Sequence, residues 1–183
     1  MIVGITGTDG SGKGSVVSYL VTQYGFTHYS SREFIVAEIV RRGLPVDRNQ
    51  MRLTANEMRA VQGNDVVVRH ALDKMKDDAA EKVVIESIRA TAEAETLIRY
   101  GGVLLAIDAD QVVRYTRVQG RRSATDQVSF EQFVAHELLE KNDPDPHGMQ
   151  KGKVMELADY TIINDGTIKE LEKKVDEFIK KYL

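Results

Sequence analysis

The sequence predicts a three-layer α/β/α fold built on a five-stranded parallel sheet. Three observations carry this. Five short apolar runs recur along the 183 residues, helical patterns separate them, and the first run ends in the glycine-rich stretch GTDGSGKGS at 7–15. Strands buried on both faces read as continuous apolar, β-branched runs without polar alternation. The helices between them are the crossovers that parallel pairing requires.

Taken in order, residues 2–6 are the first strand. Residues 12–24 carry Val16, Val17, Leu20 and Val21 at helical spacing and stop at Gly25. The second strand spans 26–29. A helix over 31–42 follows, with Ser30 or Ser31 as its cap and Gly43 as its stop. Segments 49–62 and 66–79 read as more polar helices. Residues 83–85 are the third strand, 91–100 a helix, 103–107 the fourth strand and 111–119 a helix. In the helix over 129–141, Phe130, Phe133 and Val134 share a face, and Ser129 with Glu131 and Gln132 resembles a capping box. The stretch NDPDPHGMQKGK at 142–153 holds two of the three prolines and reads as a loop. Residues 161–163 close the sheet, and 167–183 form an amphipathic helix through Ile168, Leu171, Val175, Phe178 and Ile179.

Composition narrows the function. A net charge of -3 argues against a nucleic-acid binder relying on a broad basic face. The absence of cysteine excludes disulfides and thiolate metal sites. His28, His70, His136 and His147 lack metal-ligand spacing. MIVGITG lacks the features of a signal peptide, and the longest apolar run, VLLAI, is too short to span a bilayer. The expectation is a soluble cytoplasmic protein acting on small molecules, with no nucleic-acid or membrane partner. Oligomeric state is not readable.

A strand, a glycine-rich turn and a helix with a lysine at the turn's exit is the setting of a phosphate loop. Gly7, Gly10 and Gly12 let main-chain N–H groups point inward at an anion, helped by the positive end of the following helix. Lys13 can reach the outer phosphates. The phosphate-binding set is therefore Gly7, Asp9, Gly10, Ser11, Gly12, Lys13, Gly14 and Ser15. The usual hydroxyl directly after the lysine is replaced by Gly14, so Ser15 is the candidate Mg²⁺ ligand. The predicted fold is thus a P-loop NTPase fold, with ATP as co-substrate and Mg²⁺ as cofactor.

Downstream positions suggest what the loop serves. A guanine-specific NKxD pattern is missing, which lowers a GTPase reading. A small-molecule kinase needs a second anion site facing the first, to hold the acceptor in line. Arg32, just past the second strand, and Arg89, three residues after the carboxylate of Glu86 in VVIESIRAT, are the candidates for that site. Glu86 at a strand end can also hold Mg²⁺ through water. In RYTRVQGRR, Arg114, Arg117 and Arg121 fall on one helix face. Arg117 and Arg121 are the candidates for arginines that close over a transferring phosphoryl group, with 120–127 as hinge and lid. The alternative is a solvated face neutralised by Asp108, Asp110, Asp126 and Glu131. Asn164, Asp165 and Gly166 make a turn after the last strand, and Thr167 caps the final helix.

The GKG-S form of the loop resembles that of the adenylate-kinase-like nucleoside monophosphate kinases. The shorter acid-x-x-Arg spacing of Glu86 and Arg89 is similar to that of archaeal proteins related to dephospho-CoA kinase. This resemblance covers nearly the whole chain. It implies one domain over 1–183, with an acceptor-binding insertion at about 31–80 and a lid at about 117–150. Arg32 would hold the acceptor phosphate, and the loop of Asp165, Gly166 and Thr167 would lie against the nucleotide base. Dephospho-CoA kinases carry an aspartate after the second strand, where FTHYSSREF offers only Glu33. The implied activity is transfer of the γ-phosphoryl group of Mg·ATP to a nucleoside or deoxynucleoside monophosphate. Dephospho-CoA kinase is the alternative, with Glu86 as base, and a P-loop ATPase without a small acceptor is the second alternative.

Overall fold

The computed structural model describes residues 1–120 and 128–182. The strands are β1 (Ile2–Gly7), β2 (Thr27–Ser30), β3 (Val83–Glu86), β4 (Val103–Asp108) and β5 (Tyr160–Ile163). The helices are α1 (Lys13–Tyr24), α2 (Ser31–Arg41), α3 (Arg48–Gln62), α4 (Val66–Asp77), α5 (Thr91–Arg99), α6 (Gln111–Gly120), α7 (Phe130–Lys141), α8 (Lys151–Glu156) and α9 (Ile168–Tyr182). The strands form one parallel sheet in the order β2-β3-β1-β4-β5. This is the three-layer α/β/α P-loop NTPase fold on a five-stranded parallel sheet that the sequence predicts.

Alternation along each strand divides the core into two layers. Val84, Leu105 and Ile107 pack with Val16, Leu20, Val175 and Phe178 under α1 and α9. Val83, Ile85 and Leu104 pack with Val68, Leu72, Ala94 and Leu97 under α4 and α5. Both faces of the sheet are thus covered, which is why its strands read as unbroken apolar runs. Gly4 serves this layering: a Cβ there would lie 2.3 Å from Leu97 Cδ2, so a larger residue would push α5 off the sheet.

Local signals match the observed ends. Ser30 Oγ accepts from the Glu33 N–H at 3.3 Å and caps α2. The capping box of α7 is present: Ser129 Oγ accepts from the Gln132 N–H at 3.2 Å and Gln132 Oε1 from the Ser129 N–H at 2.9 Å. Gly25 ends α1 in the left-handed region.

One segment differs from its sequence reading. Within 142–153, only the part before α8 is loop. Lys151 begins a short helix despite two neighbouring glycines, because Val154 is fully buried in the α4–α5 layer and draws the segment onto the sheet. The DPDPH turn is also not a free connector. It docks on α3, with Asn56 Nδ2 donating to Asp145 Oδ2 at 2.8 Å and Asn64 Oδ1 lying 2.8 Å from His147 Nδ1.

Candidate active site

All five strands run the same way, so their carboxyl ends gather Gly7, Ser30, Glu86, Asp108 and Ile163 at one edge. In open α/β sheets this edge is where ligands bind. The glycine-rich loop lies here between β1 and α1. Gly10 and Gly12 have φ of 81° and 100°, backbone that a side chain rarely adopts. The turn is fastened from three sides. Thr8 Oγ1 donates to Asp108 Oδ1 at 2.6 Å, Ser11 Oγ to the Thr8 carbonyl at 2.8 Å, and Asn164 Nδ2 to the Ser11 carbonyl at 2.7 Å. Asn164 is buried at the end of β5, so the last strand holds the loop that follows the first.

Among the described residues, the amides of Gly10, Gly12, Lys13 and Gly14 have no hydrogen-bond partner. A run of unpaired N–H groups at the start of a helix is an anion cradle. Lys13 stands beside it, 15% exposed, its Nζ donating to the carbonyls of Gly7 at 3.0 Å and Thr8 at 2.7 Å. Burial lowers the Lys13 ammonium from its ordinary 10.5 to about 8. Asp9 opposes this shift, and the charges of Lys151 and Arg89 add to it.

Asp9 Oδ1 lies 3.0 Å from Lys151 Nζ and 4.0 Å from Lys13 Nζ. Lys151 also hydrogen-bonds Glu140 on α7. Burial alone would raise the Asp9 carboxyl, but Lys151, Lys13 and Arg89 outweigh it and hold it far below the usual carboxylate range. Glu140 is likewise lowered, burial being overcome chiefly by Lys151.

Beside the loop opens a cavity of about 960 Å³. Lys13, Gly14 and Ser15 line one wall; Arg32, Arg52, Arg59, Glu86 and Arg89 line others, with Ile35, Met51, Ala55 and Met149 as the apolar lining. Arg32 is exposed on α2 and Arg89 half-buried on the β3–α5 connection. Neither guanidinium has an ion-pair partner among the described residues. Arg52 lies 3.7 Å from Asp143. Glu86 Oε1 accepts from Ser30 Oγ at 3.4 Å and lies 3.7 Å from His28 Nε2.

The sequence-predicted residues thus fall into two groups. Lys13, Gly14, Ser15, Arg32, Glu86 and Arg89 share this cavity. Arg117 lies apart from it: its guanidinium donates to the carbonyls of Asn164 at 2.8 Å and Gly166 at 3.3 Å, beside the turn of Asp165, Gly166 and Thr167. Asp165 accepts from the Asp110 N–H at 2.6 Å, and Thr167 caps α9 through Glu170. Arg114 is buried, bonded to Glu137, 2.8 Å from the Ala109 carbonyl and 3.7 Å from Asp108, so it ties α6 to α7. Arg121 and the rest of 121–127 lie outside the described residues. Arg52, Arg59, Glu140 and Lys151 are absent from the sequence-predicted set. The helical pattern of α3 gave Arg52 and Arg59 no distinguishing signal, and Lys151 sat in an expected loop.

A donor set of one hydroxyl, Ser15, and one carboxylate, Glu86, on the cavity beside the glycine-rich loop fits Mg²⁺, which keeps its waters and takes few protein oxygens.

Fold and loop together define a kinase-like P-loop nucleotide-binding architecture. Residues 3–159 match the family model described as an AAA domain. The chain belongs to that family and to the UPF0200 proteins: it is 33% identical over 181 residues to a UPF0200 protein of Pyrobaculum aerophilum, covering 97% of this chain and 96% of the relative. Among solved structures it is similar to TT1252 of Thermus thermophilus, with a TM-score of 0.67, 20% identity and coverage of 100% and 98% of the two chains. It is also similar to the shikimate kinase of Acinetobacter baumannii solved with shikimate, with a TM-score of 0.59, 18% identity and coverage of 98% and 93%. At these identities the likeness is one of fold.

Proposed function

We propose that the protein is an ATP-dependent phosphotransferase that moves the γ-phosphoryl group of Mg·ATP to a phosphorylated small molecule, with a nucleoside or deoxynucleoside monophosphate as acceptor. One observation carries this reading. The phosphate loop with Lys13 opens on the same cavity as three arginines from three different elements, Arg32, Arg52 and Arg89. A simple ATPase needs the first feature only. Phosphoryl transfer to an anionic acceptor needs both, because two negatively charged groups must be held in line.

In this mechanism the amides of Gly10, Gly12, Lys13 and Gly14 bind the donor's phosphates and Lys13 adds a mobile charge. Arg32, Arg52 and Arg89 hold the acceptor's phosphate, and the apolar wall receives its remaining body. Ser15 and Glu86 would hold Mg²⁺, Glu86 through water; the bound ion neutralises charge on the transferring group. Arg117 and Arg121 remain the proposed lid cations. The position of Arg117 against the turn of Asp165, Gly166 and Thr167 suits the donor's nucleoside end. About 31–80 is the acceptor-binding segment and about 117–150 the lid.

A second reading is favoured by the contact of Glu86 with Ser30 and His28. A carboxylate so placed suits removal of a proton from a hydroxyl acceptor, as in a dephospho-CoA kinase. The test is ADP release from Mg·ATP, alone and with nucleoside monophosphates, deoxynucleoside monophosphates and dephospho-CoA. Stimulation by a monophosphate is expected. Stimulation by dephospho-CoA alone would favour the hydroxyl reading, and release that no acceptor stimulates would sink the kinase reading.

A further inference from the structure

We propose that Lys151 is a second phosphate-contacting cation of this site, reaching the terminal phosphate of a bound nucleoside triphosphate alongside Lys13. The inference rests on the triphosphate reading of the loop above. Lys151 comes from α8, far in sequence from the loop, yet its side chain is only 8% exposed and its Nζ lies 3.0 Å from Asp9 Oδ1. An ammonium has three N–H donors. Two are taken by Asp9 and Glu140, and among the described residues the third has no partner.

The arrangement is costly unless the cation has work beyond packing. Removing Lys151 and Glu140 from water, with side chains 8% and 13% exposed, carries a large desolvation penalty, and apolar residues could join α8 to α7 more cheaply. Asp9 also places a negative charge within a loop built to hold anions. That charge is tolerable because Lys151 and Lys13 share its Oδ1. An outer phosphate entering beside Asp9 brings further negative charge to the same point. Lys13 spends two of its N–H groups on the carbonyls of Gly7 and Thr8, so Lys151 adds a second ammonium with a spare N–H beside the loop's carboxylate. The low carboxyl of Asp9 agrees with this dense positive field.

The competing role is a latch that merely binds α7 and α8 to the loop. Titration calorimetry on the full chain, with Mg²⁺ present, separates the two by comparing ADP with the imido analogue of ATP. Lys151→Gln keeps two N–H donors on a side chain of similar shape but lacks the charge. It is expected to weaken the triphosphate analogue about tenfold while ADP affinity changes less than about twofold, the size of one lost charge-assisted contact. Lys151→Met should do the same where it folds. Glu140→Gln breaks the charged latch but leaves the cation, and should keep the wild-type preference for triphosphate. Equal losses for both nucleotides in Lys151→Gln and Glu140→Gln, or an unchanged preference in Lys151→Gln, would overturn the proposal. Wild-type protein that binds neither nucleotide would remove the phosphate-loop reading itself, and this inference with it.

Discussion

Arg59 of α3 and Glu93 of α5 form an ion pair in the interior: Nε and Nη2 lie 3.2 and 3.0 Å from the same carboxylate oxygen, with side chains 4% and 1% exposed. The other oxygen of Glu93 accepts from the N–H groups of Arg89 and Ala90 at 2.8 and 3.0 Å. One carboxylate therefore fastens α3 to the turn that carries Arg89. Arg59 and Arg89, which both line the cavity beside the loop, are thus held by one side chain.

Breaking such a pair from one side strands a buried charge. Glu93→Gln and Arg59→Met are each expected to cost about 3–5 kcal/mol, and the double variant, which removes both charges while an amide oxygen still serves the Arg89 and Ala90 N–H groups, should lose less than the sum. Chemical denaturation of the three variants checks this. Additive losses in the double variant would show that the two side chains are not coupled.

Gly12 and Gly14 are two residues apart and should respond oppositely to alanine. A Cβ at Gly12 would lie 2.4 Å from Asn164 Nδ2, on backbone at φ 100°. The backbone alone costs about 1–2 kcal/mol, and the tether from Asn164 to Ser11 must give way. At Gly14 nothing lies within 4 Å. In a helix, Gly14→Ala should stabilise by about 0.5–1 kcal/mol. Melting curves of the pair decide it, and a stabilised Gly12→Ala would contradict the loop geometry.

Lys13→Ala is expected to abolish turnover with the fold intact, as circular dichroism beside an ADP-release assay would show. Its titration adds a pH dependence. The folded chain loses the Lys13 proton near pH 8, whereas the unfolded chain holds it to about 10.5. Between these values the unfolded state binds more protons, so this group makes stability rise with pH across that window and has no slope below it. Nucleotide affinity runs the other way, since the cation is lost above about pH 8. Triphosphate affinity should fall from pH 8 to 9 in the wild type, and that fall should vanish in Lys13→Arg, whose guanidinium stays charged. An equal fall in both proteins would assign the titration elsewhere.

Arg89→Ala is expected to raise the acceptor KM, lower kcat, or both, with little change in ATP binding. Arg52→Ala should behave alike, because Arg52 faces the same cavity from α3. Steady-state kinetics with the acceptor varied, beside ATP titrations, provides the check. Loss of ATP affinity in Arg89→Ala would move that residue to the donor side.

Some of this was legible in residue order. Ile2–Gly7 and Val103–Asp108 are apolar runs because both faces of the sheet are covered, and GTDGSGKGS is a contiguous motif, although Asp108 and Asn164 fasten its loop from a distance. Glu86 and Arg89 could be paired by eye, being three residues apart at a strand end. Lys151 could not, since GMQKGK has the local look of a loop. It becomes a helix through the burial of Val154, which no neighbour in sequence announces. Arg52 and Arg59 sit among other polar residues of α3, and only the packing of that helix on α5 and the 143–149 turn separates them from surface arginines.

The sequence by itself determined the parallel sheet, the glycine-rich loop and the order of the elements other than α8, because hydrophobic periodicity and glycine conformation act within a few residues. Tertiary structure decided which charges meet: Lys151 with Asp9, Arg59 with Glu93, Arg117 with the Asn164–Gly166 turn. Those pairings span tens to more than a hundred positions. They exist only once the crossovers bring strand ends to one edge, and there burial, not sequence neighbourhood, sets the cost of leaving a charge unpaired.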